Sequence, residues 1–161
     1  MNRRQLLIMG AAVPAAAGLT ACKPETVLEH AQAMVDRLVP QLQANLEPGR
    51  PVIISSFVNV DDLEASSTFG RSMSELVGNL LAQKGIAVAD VRLRSALANR
   101  PGGELALSRE AAALSKVHNA QAIVVGTYSI MSPKVYASVK VVRVADNRIL
   151  ASSEAELRHE G

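Results

Sequence analysis

The chain is 161 residues long, 48% apolar and 20% charged, with 17 basic and 15 acidic side chains and a single cysteine. That length holds one domain with a real core but not comfortably two, and the near-balanced charge argues against a nucleic-acid surface. One cysteine excludes an internal disulfide, and two tyrosines, two phenylalanines and no tryptophan leave no aromatic platform for sugars or bases.

Arg3 and Arg4 precede an apolar stretch of about 14 residues, Leu6 to Leu19, that carries Pro14 and two glycines. A spanning helix needs roughly 20 apolar residues, so this stretch reads as a signal peptide and a poor anchor. Leu19-Thr20-Ala21-Cys22 closes it and looks like a bacterial lipobox, in which small residues fit a peptidase groove and the cysteine thiolate takes up lipid. On that reading residues 1–21 are removed and Cys22, the first mature residue, is the lipid-attachment site. Arg3 and Arg4 leave with the signal, so 15 basic and 15 acidic residues remain. Each buried CH₂ of an acyl chain contributes about 0.8 kcal/mol, and the protein is expected to be anchored to a membrane without spanning it. Arg3-Arg4-Gln5-Leu6-Leu7 superficially resembles a twin-arginine signal, but two arginines are also an ordinary n-region and the general secretory route is favoured. Lys23 stands where an aspartate commonly retains Gram-negative lipoproteins in the inner membrane. By that sorting rule the destination is the outer membrane, on its periplasmic face or at the cell surface.

Residues 22–49 form a lipidated N-terminus and an amphipathic helical segment. Val27, Leu28, Ala31, Met34, Val35, Leu38 and Val39 recur at three- and four-residue intervals, the spacing of one helix face. The stripe continues through Leu42 and Leu46, with a kink or break expected at Pro40. Its first use is to cover the domain's own sheet; packing against a partner or the membrane is the other. Glu47-Pro48-Gly49-Arg50-Pro51 is a turn, and residues 50–161 form the domain proper. Residues 52–60 read as one buried strand. A polar loop over 61–67 leads into a helix with Phe69, Met73, Leu76, Val77, Leu80 and Leu81 on one face, capped by Ser66 or Ser67 and stopped at Gly85. Residues 86–93 alternate as a strand, with Asp90, Arg92 and Arg94 on one face. Residues 99–104 are a flexible loop, and Ser108 caps a short helix through about residue 117. Residues 122–130, 135–144 and 149–157 are strands whose close spacing makes an antiparallel meander. The fold class is therefore α/β with α+β character: a single domain, a mixed sheet of about five strands, and two or three covering helices.

Signs of chemistry are thin. Gly70-Arg71-Ser72-Met73-Ser74 begins like a nucleophile elbow but lacks the second glycine and falls within a helix. Gly70 and Ser74 are better explained by a close approach of helix and strand. His30, His118 and His159 have no partner at metal-binding spacing. Asp61, Asp62 and Glu64 lack the ligand-and-glycine alternation of a calcium loop. Gly102-Gly103 has no phosphate-loop context. No enzymatic activity, cofactor or metal is expected, and a binding or structural role is favoured.

Ile54-Ser55-Ser56-Phe57-Val58-Asn59-Val60-Asp61-Asp62-Leu63 and Ser67-Thr68-Phe69-Gly70-Arg71-Ser72-Met73-Ser74-Glu75-Leu76 resemble the FlgO family of flagellar outer-membrane lipoproteins. So do Val91-Arg92-Leu93-Arg94, Gly103-Glu104-Leu105-Ala106-Leu107-Ser108-Arg109-Glu110 and Ile123-Val124-Val125-Gly126-Thr127-Tyr128-Ser129. The resemblance spans roughly residues 50–157. It implies an outer-membrane protein that supports motility and flagellar stability near the basal body. The strand–helix pattern also looks like the amino-terminal domain of TolB and the lipoprotein activators of peptidoglycan synthases. An activator or scaffold of another envelope machine, in peptidoglycan synthesis or curli-type secretion, is accordingly the alternative. Loops on a rigid scaffold commonly carry binding residues. Asp61, Asp62, Glu64, Arg71, Arg92 and Arg94, with the 99–104 loop, are the expected surface for neighbouring subunits or another envelope protein.

Overall fold

A computed structural model of the chain describes residues 26–63, 65–89, 116 and 118–158. The first element, α1 (Val27–Asn45), opens with a capping box. Glu29 N donates to Thr26 Oγ1 at 3.3 Å, and the Glu29 carboxylate accepts from Thr26 N at 2.6 Å. Two N–H groups that a helix start leaves without partners are thereby satisfied. Ala31, Met34, Val35, Leu38 and Leu42 are buried, so the apolar stripe covers the domain's own sheet. Of the kink or break expected at Pro40, the break does not occur, and the helix runs on to Asn45 with Pro40 inside it. Pro40 and Asp36, whose carbonyl loses its donor, are both exposed. Water can satisfy that carbonyl, and the buried stripe is untouched.

The strand expected over 52–60 is divided into β1 (Val52–Ile54) and β2 (Val58–Asn59). Both lie parallel to β4 (Ala122–Met131). One more residue separates Ile54 from Val58 than separates their partners Val124 and Thr127, so the chain bulges at 55–57. Ser55 stabilises the bulge by donating its backbone N–H and its hydroxyl to the Val124 carbonyl, each at 3.0 Å. Phe57 turns into the core, and its N–H donates to the Gly70 carbonyl of α2 (Thr68–Gln83) at 3.3 Å. Ser67 caps α2 by accepting from Gly70 N at 2.9 Å. At the other end Gly85 takes the positive φ of 83° that stops the helix.

Of the expected 86–93 strand, β3 (Val88–Ala89) is described. The 99–104 loop and most of the expected 108–117 helix lie outside the described residues. The meander forms as expected from β4, β5 (Lys134–Arg143) and β6 (Ile149–Arg158). Among the described residues the sheet runs β3-β1-β4-β5-β6, with β2 on the same side of β4 as β1, giving six strands where about five were expected. The extra strand comes from the bulge. Both helices pack on one face, over a core that includes Met34, Leu38, Val52, Met73, Val124 and Val139. Ile54, within the segment read as a buried strand, is only partly buried. The Glu47–Pro51 turn is held by buried Gln121, whose side chain donates to the Glu47 and Arg50 carbonyls at 2.8 and 2.6 Å.

Strand β6 is an edge of the sheet, and α1 closes part of it. Asn45 Nδ2 donates to the Leu150 carbonyl at 3.3 Å, and Gln41 Nε2 to the Ser152 carbonyl at 3.1 Å. Ser152 N returns a bond to Gln41 Oε1 at 3.2 Å. Arg37 reaches Ser153 Oγ at 3.0 Å and the Glu154 carbonyl at 2.6 Å. Four helical residues rise about 6 Å and two strand residues about 6.6 Å, so polar residues four apart meet alternate strand carbonyls. The bonds blunt an edge that would otherwise template pairing with another chain.

Candidate functional site

Among the described residues the helices leave the opposite face of the meander uncovered. Side chains alternate along each strand, and the register aligns three rows on this free face: Val125–Lys140–Ser152, Thr127–Ser138–Glu154 and Ser129–Tyr136–Glu156. Between them lies a depression of about 440 Å³, lined by Val60, Thr127, Ser129, Tyr136, Ser138, Glu154 and Glu156, among others. Lys134 Nζ lies 2.7 Å from the Glu156 carboxylate. That hydrogen bond, with a further one from Tyr136, holds the Glu156 carboxyl below its ordinary range despite the opposing cost of desolvation. The same bond to Glu156 raises Lys134. Both groups remain charged at neutral pH and occupy each other. Glu154 differs: its backbone carbonyl is held by Arg37, while its carboxylate is exposed and has no partner among the described residues.

The 61–67 loop rims this face. Val60 N donates to the Tyr128 carbonyl at 2.9 Å, which brings the loop to the Tyr128 end of β4. Asp61 and Asp62 are exposed. Asp62 accepts from Ala65 N at 3.1 Å, and Asp61 N donates to Asn59 Oδ1 at 3.1 Å. Arg71, on the first turns of α2, donates to Ser66 Oγ at 2.6 Å and Thr68 Oγ1 at 3.3 Å. Tyr128 Oη meets the capping Ser67 Oγ at 2.6 Å. The loop's polarity, for which the sequence offered no structural reason, thus serves in part to form a turn and cap α2. Asp61, Asp62 and Arg71 share one end of the fold; Cys22, Glu64, Arg92 and Arg94 lie outside the described residues.

Thr127, Tyr136, Ser138, Glu154 and Glu156 were missed in the sequence. A signal is present: polar residues alternate with Val135, Ala137, Val139 and Val141 along β5, but alternation within one strand does not tell which residues of β4 and β6 stand beside them. Ser74, in the segment resembling an elbow, donates its hydroxyl to the Arg71 carbonyl of its own helix at 2.8 Å. Among the described residues no group of three or more His, Cys, Asp or Glu could hold a metal, and no helix is long and apolar enough to cross a membrane.

The profile of the FlgO protein family matches residues 32–161. The chain belongs to the FlgO family. The match extends the resemblance seen over 50–157 back into α1, whose buried stripe completes the core. Membership of that family supports an envelope lipoprotein. The C-terminal domain of LpoB from Salmonella enterica is similar in fold at 18% identity, with a TM-score of 0.59, covering 80% of this chain and 98% of that one. The same domain from Escherichia coli gives 14% identity and a TM-score of 0.58, covering 79% and 97%. The solution structure of E. coli LpoB, also at 14%, gives 0.57 and covers 98% of this FlgO-family chain and 88% of LpoB. At these identities the likeness is one of architecture. Among curated proteins, none shows significant sequence similarity to the chain.

Proposed function

We propose that this FlgO-family chain is an outer-membrane lipoprotein, anchored through acyl chains on Cys22, that binds a basal-body protein. In that role it supports flagellar assembly, stability or motility. The observation that carries the proposal is the family match over residues 32–161. The binding surface we assign is the free face of the meander with its 61–67 rim. Groups there are held by a rigid sheet, and Asp61 and Glu154 offer carboxylates to a partner. Such charges set specificity and encounter rate more than affinity. The role is one of binding and not catalysis.

The architecture shared with LpoB is the observation behind a second reading, an activator or scaffold of another envelope machine. Deleting the gene separates the two. The flagellar reading expects loss of swimming with intact cell-wall integrity, restored by the wild-type gene and not by Cys22→Ser. Normal swimming with sensitivity to cell-wall stress would reject it in favour of the second.

A further inference from the structure

Nine large apolar side chains are exposed among the described residues, and four of them, Val27, Leu28, Ile130 and Met131, lie toward one end of the fold. The register shows why. The α1 clamp pairs Asn45 with Leu150, Gln41 with Ser152 and Arg37 with Glu154. Continuing that spacing brings the start of α1 level with Arg158. Arg158 lies opposite Lys134, and Lys134 opposite Met131. Val60 N bonds to the Tyr128 carbonyl, three residues before Met131, so Val60 and Leu63 flank this end on the rim of the depression. Ile149 is 57% exposed at the far end and Met131 63% exposed at this one, so exposure alone does not define the cluster. Monomeric soluble domains rarely gather this many apolar side chains in one exposed place without a use for it.

From this arrangement we infer that the end bearing Leu28 and Met131 is a membrane-contacting face that seats on a phospholipid surface and fixes the domain's orientation. The inference rests on the acylation of Cys22 proposed above. Four residue steps lead from Cys22 to Thr26, the N-cap of α1. At about 3.5 Å per residue they reach about 14 Å at most, so an acylated Cys22 holds this end, and no other, against the bilayer. Formal charge near the cluster is mixed: Glu29, Arg158, the Lys134–Glu156 pair, Asp61, Asp62 and Arg71. Attachment is therefore apolar and needs no anionic lipid. The carboxylates of Asp61 and Asp62 stay in water and limit immersion to the headgroup boundary, as for other interfacial proteins.

The chain has no tryptophan, so a single introduced one is a unique reporter. The chain from Cys22 onward retains every described residue and can be coupled through that cysteine to a maleimide lipid in phosphatidylcholine vesicles. Tryptophan fluorescence of Met131→Trp and Leu28→Trp should shift to the blue and lose intensity when the acyl chains are brominated, in low and high salt alike. Ile149→Trp should do neither. Equal responses from Met131→Trp and Ile149→Trp would overturn the membrane face. So would a blue shift without quenching by brominated lipid, which would make the occupant a second copy or another protein. Metabolic palmitate labelling of wild type and Cys22→Ser tests the anchor separately. Quenching in the coupled protein without labelling in cells would reject the anchor and keep the apolar face.

Discussion

Gly126 has no room for a side chain, because the ring of Phe57 occupies the place where its Cβ would stand. Gly70, across on α2, is equally closed by the Phe57 backbone carbonyl. Phe57 is 2% exposed, held between a strand glycine and a helix glycine, with its own N–H bonded to the Gly70 carbonyl. Overpacking a tight core typically costs about 1–3 kcal/mol. Gly126→Ala should destabilise the fold by that amount in urea unfolding, and part of the loss should be recovered by Phe57→Leu in the same chain. An additive or larger loss in the double variant would contradict the proposed contact. Gly70 was legible as a site of close helix–strand approach because glycine in a helix needs a packing reason. Its partner was not, since nothing local in Ser55-Ser56-Phe57 announces a bulge; the register against β4 decides it.

Helix α1 illustrates the same division. Its apolar stripe and length were readable from a 3.6-residue period, and so were α2 and the three strands of the meander. Arg37, Gln41 and Asn45 appeared only as polar filler, yet they bond the open edge of β6. A period reports which face is buried and is silent on what the flanking polar residues meet. Pro40 left kink and break open for a related reason: its cost depends on whether the orphaned carbonyl faces core or water. Gln41→Leu should leave both Ser152 backbone groups without their side-chain partner. These bonds are exposed, so their loss costs no more than the net worth of an ordinary hydrogen bond, about 0.5–1.5 kcal/mol. Hydrogen exchange at the Ser152 amide should quicken in this variant while the β4–β5 ladder keeps its protection. Unchanged exchange at Ser152 would mean the clamp does not protect the edge.

For the molecule as a whole, the fold class, the mixed sheet and the family could be read from sequence. The candidate site could be read only in part. Asp61, Asp62 and Arg71 do gather at one end of the fold, but the free face of the meander required strand register to bring Thr127, Ser138 and Glu154 into one row. With the Leu28–Met131 end against the bilayer, the strands stand across the membrane plane. Their free face then looks sideways along the envelope, toward other membrane-bound proteins. The depression of about 440 Å³ sits near the middle of that face. The central claim is that this face binds a basal-body protein. A photo-crosslinking amino acid placed at Ser138 in living, flagellated cells tests it most directly, with Gln32 on the exposed side of α1 as the comparison. The predicted result is a light-dependent adduct between Ser138 and a basal-body component, absent at Gln32 and lost when Cys22→Ser releases the protein from the membrane. Basal-body adducts from Gln32 with none from Ser138, or Ser138 adducts only with a peptidoglycan synthase, would contradict it.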